Sequence, residues 1–217
     1  MWRVLLATLL ALSNTTSFAA GSIGVVSDNK GSQCEVQRGK TKTSGVKGAS
    51  IESMDTYLTQ ACASNITFKD DTKVKITENS KLVIDDFVYD PKQSDAGKLA
   101  MKVTMGTVRY ASGQIAKNNP QQVAVKTPTA TIAVRGTDFS MTVDETGRSL
   151  VVLLPSCKED KDVKQYELEE NRCKVGEISV SNASGTVVLD KAFEATYITS
   201  AETVSYTHLT LPTKRIV

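Results

Sequence analysis

Apolar residues recur at alternate positions in short runs broken by turn-forming residues, the pattern of half-buried strands. Residues 23–26, 34–38 and 66–68 each read as a strand, and Asp70-Asp71 then turns the chain. Val74 and Ile76 resume the alternation, followed by Leu82 and Ile84 and then by Phe87 and Tyr89. The odd step from Ile84 to Phe87 places a bulge or bend at Asp85-Asp86. Leu99, Met101, Val103 and Met105 alternate strictly, and Gly106 then shifts the inward phase to Val108 and Tyr110. Residues 111–122 are polar, contain Gly113, Asn118, Asn119 and Pro120, and read as a connection. Val123 and Val125 restart the pattern, and Pro128 belongs at a strand start or edge because it has no N–H to donate.

Residues 129–143 read as one further strand whose phase changes midway. Ile132 and Val134 share one parity, Phe139, Met141 and Val143 the other, so Arg135-Gly136-Thr137-Asp138 is expected to hold a bulge. Residues 150–154 are wholly apolar, which predicts a strand buried on both faces. Residues 178–180, 186–189 and 196–198 add short strands. A helical period appears only weakly, at 50–60 and 161–170. The expected fold is all-β with few or no helices: a single domain of short twisted strands arranged as a sandwich, a barrel or a β-solenoid. No fixed-period repeat singles out the solenoid.

Both ends change the composition. Arg3, an apolar run at residues 4–12 and the small residues Ser17 and Ala19 form a secretory signal, with cleavage expected after Ala19. That nine-residue run, interrupted only by Thr8, falls far short of the roughly 20 residues that a spanning helix needs. Residues 204–213 read as a translated library adapter, so residues 204–217 are excluded from the fold. His208, the single histidine among 217 residues, lies inside that tail. The whole chain has 26 basic and 24 acidic residues; without its two ends the balance is 23 to 24. That near-neutral charge lacks the basic footprint of a nucleic-acid binder.

Cys34, Cys62, Cys157 and Cys173 are an even set in a chain expected to be exported, which points to disulfides. Zinc ligation fails on spacing: there is no C-x-x-C pair and no histidine outside the tail. Locality favours Cys34–Cys62 and Cys157–Cys173 among the three possible connectivities. The second pair would close the charged stretch 158–172.

An ordered set of motifs resembles the FecR-domain family. Its centre is Thr127-Pro128-Thr129-Ala130 followed by Arg135-Gly136-Thr137-Asp138-Phe139. Upstream stand Phe87-Val88-Tyr89-Asp90-Pro91, Met105-Gly106-Thr107-Val108-Arg109-Tyr110 and Gly113-Gln114-Ile115-Ala116-Lys117, in the same order. The resemblance runs over residues 23–154. It implies an all-β, non-catalytic module in an exported setting. The family's namesake joins a cytoplasmic anti-sigma segment to a periplasmic domain that reads an outer-membrane receptor; with a signal peptide ahead of Ile23, this chain resembles the stand-alone exported members. The expected organisation is a signal peptide at 1–19, a FecR-like domain at 20–154 and a charged excursion with further strands at 155–203.

The motif residues have two readings. Arg135 and Asp138 are either an exposed recognition pair or, preferably, internal ion-pair and backbone partners that an irregular strand requires. Arg109 reads as a snorkelling cation and Tyr110 as a half-buried aromatic. No catalytic, cofactor-binding or metal residues are assigned. Asp70, Asp71 and Glu78 lack calcium-loop spacing, and without a native histidine the commonest general base is missing. The expected function is a non-enzymatic binding module with a protein or envelope partner, periplasmic or extracellular, with no cofactor and no nucleic acid. The alternatives are a structural or adhesive spacer of a surface or virion assembly, or a periplasmic sensor domain. Sheet edges near Pro128 and the excursion at 158–172 are the expected contact surfaces.

Overall fold

The computed structural model describes residues 21–93, 96–157 and 173–202. The signal peptide, the charged excursion with its helical candidate at 161–170, and the tail at 204–217 lie outside these residues. In chain order the first strands are β1 (Gly24–Gly31), β2 (Cys34–Arg38), β3 (Thr41–Ser44), β4 (Ser50–Ile51) and β5 (Thr56–Thr59). There follow β6 (Cys62–Phe68), β7 (Lys73–Ile76), β8 (Ser80–Val88) and the long β9 (Lys98–Ala111). After the short helix α1 (Gln114–Asn118) and a 3-10 turn at Pro120–Gln122 come β10 (Val123–Lys126), β11 (Thr131–Arg135), β12 (Asp138–Val143) and β13 (Ser149–Leu154). The chain closes with β14 (Ser156–Cys157), β15 (Cys173–Lys174), β16 (Glu177–Asn182), β17 (Gly185–Leu189) and β18 (Ala195–Ile198).

Sixteen of these strands form one hydrogen-bonded sheet, and β14–β15 form a separate two-stranded ribbon. The sheet is all-β and is not closed into a barrel. It has two branches that share β9. The first half of β9 lies between β8 and β10, in a branch ordered β3-β2-β5-β8-β9-β10-β11-β16-β17. The second half lies between β7 and β12, in a branch ordered β4-β1-β6-β7-β9-β12-β13-β18.

Gly106 makes this switch possible. Its φ of +88° is unfavourable for a residue with a side chain, and a Cβ there would sit 2.5 Å from the Ser80 Cα. The branches face each other as a sandwich. A Cys34–Cys62 disulfide joins β2 to β6, with Cα atoms 5.6 Å apart. The Tyr57 hydroxyl on β5 donates to Ser64 Oγ on β6 at 2.7 Å, and the Phe68 and Phe87 rings stack at 5.6 Å. Between the branches lies one core that includes Tyr57, Phe68, Tyr110, Phe139, Ile66 and Leu99, all essentially excluded from water. Each such side chain stabilises the fold by roughly 1.5–3 kcal/mol through burial.

Several expectations are corrected here. Residues 50–60 hold β4 and β5 with a tight turn between them, not a helical segment. The connection at 111–122 contains α1, whose Ile115 and Ala116 are buried. Met105 is 39% exposed although its alternation pointed inward, because the phase changes at the adjoining Gly106. In β13 only Ser149, Val151 and Leu153 are fully buried; Leu150, Val152 and Leu154 are partly buried on the other face. Residues 129–143 are two strands on different branches: β11 belongs with β10 and β16, β12 with β9 and β13. The phase flip at Arg135-Gly136 is therefore a corner where the chain crosses between branches. Gly136 turns it with φ +65° in open space. The bulge at Asp85-Asp86 is present, as a register shift between Ile84 and Asp86 against β9.

Candidate functional site

The motif residues lie at a hairpin turn and at the chain crossing that follows it. The 127–130 turn links β10 to β11 within one branch and meets the turn that joins β12 to β13 in the other. Thr129 Oγ1 and Ser149 Oγ lie 2.7 Å apart, Ser149 Oγ donates to Thr127 Oγ1 at 2.8 Å, and all three hydroxyls are buried. Thr127 Oγ1 also accepts from the Ala130 N–H at 3.0 Å, and Thr127 N–H donates to the Ala130 carbonyl at 2.8 Å. Ala130 is buried. Pro128 sits between strands, where its missing N–H removes no ladder bond, and lies close enough to Gly147 of the facing turn that a Cβ there would be 3.1 Å from the Pro128 Cβ. The hydroxyl triangle thus fastens a turn of one branch to a turn of the other.

At the crossing between β11 and β12, Arg135 and Asp138 separate. Arg135 pairs with Glu177 on β16 at 2.9 Å, and Asp138 pairs with Arg109 on β9 at 3.7 Å. These are partly solvated pairs worth well under about 1 kcal/mol each. Between them Thr137 is fully buried; its carbonyl accepts from Ser112 Oγ at 2.6 Å and its Oγ1 from the Gly176 N–H at 3.2 Å. Phe139 packs on Tyr110 with ring centres 5.2 Å apart. Tyr110 is fully buried, not half-buried, because it points inward from the second half of β9. Its hydroxyl has no hydrogen bond of normal geometry, and burial pushes its pKa well up.

Sequence inspection missed the role of Asp70. This fully buried carboxylate accepts from Thr72 N–H at 3.1 Å, Thr72 Oγ1 at 2.7 Å and Ile115 N–H at 3.3 Å, while its own carbonyl accepts from Gln114 N–H at 2.6 Å. A turn residue 45 positions upstream therefore caps the N-terminus of α1, which its own N-cap, Gly113, cannot do. Asp71 takes the positive-φ position of that turn, and Glu78 is exposed in another. Among the described residues no group of three His, Cys, Asp or Glu is arranged to hold a metal ion.

Cys34 and Cys62 are joined across the branches. Cys173 is disulfide-bonded, and the β14–β15 register sets it directly opposite Cys157. Among the described residues no helix is long and apolar enough to cross a membrane.

In the comparison against family models, residues 55–155 match FecR protein. Comparison with curated proteins finds no match. The FecR match runs from the start of β5 to just past β13 and holds the 127–130 hairpin, the β11–β12 crossing and the Asp70 cap. Strands on either side of it complete the same sheet: β1 pairs with β6, and β16 with β11.

Proposed function

We propose that this chain is an exported, non-catalytic interaction module whose FecR domain binds another protein as a sensor or signalling-type unit. The observation that carries the reading is the FecR match over residues 55–155, a regulatory and signalling family, in an all-strand sandwich pinned by an inter-branch disulfide. A Cys34–Cys62 bond persists in an oxidising compartment, which supports export after Ala19. The motif side chains support a scaffold for binding over a reaction centre. Thr127, Thr129, Thr137 and Asp138 are engaged by neighbours within the fold, and Arg135 is paired to Glu177. The Cys157–Cys173 pairing belongs to the same reading, and would close the charged excursion at its base.

The test follows the protein in a bacterial host. N-terminal sequencing of the exported form is expected to begin at Ala20, in the periplasmic or extracellular fraction. Photo-crosslinkers placed on both outer sheet faces are expected to trap a discrete protein from one face. Retention in the cytoplasm, or an absence of crosslinks from every position, overturns the reading.

A further inference from the structure

Exposed apolar side chains such as Val25, Val88, Met105 and Val188 are scattered over the sandwich, whereas one face groups its apolar residues in a strip. The branch containing β7, the second half of β9, β12, β13 and β18 presents aligned rows across its outer face. One row reads Asn65, Lys75, Arg109, Ser140 and Val152; the next reads Thr107, Thr142, Leu150 and Tyr197. Asp138 and Leu154 are opposite each other in a third. Leu150, Val152, Leu154 and Tyr197 therefore form an apolar strip, each only partly buried. This is the outward side of the run that the sequence marks as buried on both faces.

Beside that strip the charges are arranged against their own interest. Lys75 stands directly opposite Arg109, a like-charge pair that destabilises an antiparallel ladder. Lys73 and Lys75 are exposed and form no ion pair among the described residues. Arg109 keeps a side chain 54% exposed, with Asp138 as a distant partner at 3.7 Å. Strands lie about 4.8 Å apart, so the apolar strip on β13 and the cations on β9 and β7 are separated by about 10–15 Å. That is the width of one α-helix with its side chains.

We infer that this face docks an amphipathic helix of a partner protein, its apolar stripe on Leu150, Val152, Leu154 and Tyr197 and an acidic flank over Lys75 and Arg109. The surface deepens the interaction-module reading and rests on it. Helix-on-sheet packing covers the apolar strip, and the acidic flank neutralises the Lys75–Arg109 pair. Charge complementarity excludes a basic helix.

The experiment uses the exported protein and two synthetic helical peptides with leucines at i, i+3, i+4 and i+7, one flanked by glutamates and the other by lysines. The glutamate peptide is expected to bind saturably, less tightly as salt is raised, and to shift amide resonances of β7, β9, β12, β13 and β18. The K75E/R109E variant is expected to weaken it by at least about tenfold, and V152K by a similar factor, with the charge variant keeping the native circular dichroism spectrum. Equal binding of the lysine peptide, indifference to K75E/R109E, or shifts confined to the other branch would overturn the inference. Preferential binding of the wild type to vesicles of anionic lipid, or a dimer abolished by V152K, would assign the face to a membrane or a second copy and overturn it equally. Cytoplasmic retention or absent crosslinks defeat the functional reading; crosslinks mapping to another face defeat only this surface.

Discussion

Asp55 and Asp70 are both fully buried, yet the fold holds them by opposite means. Asp55 faces a cation. Arg38 donates to its two carboxylate oxygens at 2.8 and 2.7 Å, the Glu52 N–H donates at 2.8 Å, and Arg38 also reaches Glu52 at 2.6 Å. The carboxylates in turn hold the Arg38 pKa above its ordinary value. Among the described residues Asp70 has no cation in contact, and it relies on two backbone N–H groups and one hydroxyl. The lesson is positional. Asp55 lies under the rim of the sandwich, where an arginine from β2 can keep part of its side chain in water. Asp70 lies beneath α1, where an N–H at the helix N-terminus stands in the place of a cation.

The largest effect is expected for Arg38→Ala, which strands the Asp55 carboxylate in the interior. A loss of about 2–3 kcal/mol in chemical denaturation is expected, below the 3–5 kcal/mol of a fully enclosed pair because the Arg38 side chain is 42% exposed. A second change, Asp55→Asn, is expected to recover part of it. A loss below about 0.5 kcal/mol would mean that water already solvates Asp55, and the contrast between the two carboxylates would vanish.

Asp70→Asn comes next. It leaves one oxygen to serve three donors and turns an amide toward the Ile115 or Thr72 N–H, so about 1–2 kcal/mol should be lost. Amide exchange at Gln114 and Ile115 should accelerate before the rest of the sheet. Global loss without local exchange at α1 would show that the cap is not what Asp70 does.

The smallest effect sharpens the contrast with an exposed carboxylate that uses both devices. Asp144 Oδ1 accepts from Thr146 Oγ1 at 2.7 Å and from the Thr146 and Arg148 N–H groups, while Oδ2 accepts from Arg148 Nε at 2.6 Å. These bonds, with Thr146 first, pull its pKa from 3.8 down to about 2. Because the folded value is depressed, the stabilisation is present above 3.8 and disappears as pH falls toward 2. An NMR titration of the carboxyl should show the low midpoint, and Thr146→Ala should raise it. A midpoint unchanged by that substitution would place the cause elsewhere.

Strand identities were legible because alternation is a property of consecutive residues. The boundaries of β2 coincide with the expected 34–38 run, and the phase breaks at Gly106 and Asp85-Asp86 both appear in the structure. The break at Arg135-Gly136 was legible too, but its meaning was not. A bulge and a crossing to the facing branch produce the same shift of parity, and only the partners of β11 and β12 distinguish them. The partners of the motif charges were hidden for a similar reason. Glu177 stands opposite Arg135 through the β11–β16 ladder, and the cap on α1 comes from Asp70, so neither is near in sequence. α1 itself was missed because five residues with one buried pair carry no helical period.

From the residues alone came the strand-rich architecture, the kinks in its pattern and the FecR motif, since each rests on neighbours within a few positions. Which strand lies beside which, which charges meet and which apolar side stays open were decided only when β9 bent at Gly106 and folded two branches together. Contacts between distant segments depend on that closure, and local periodicity carries no record of it.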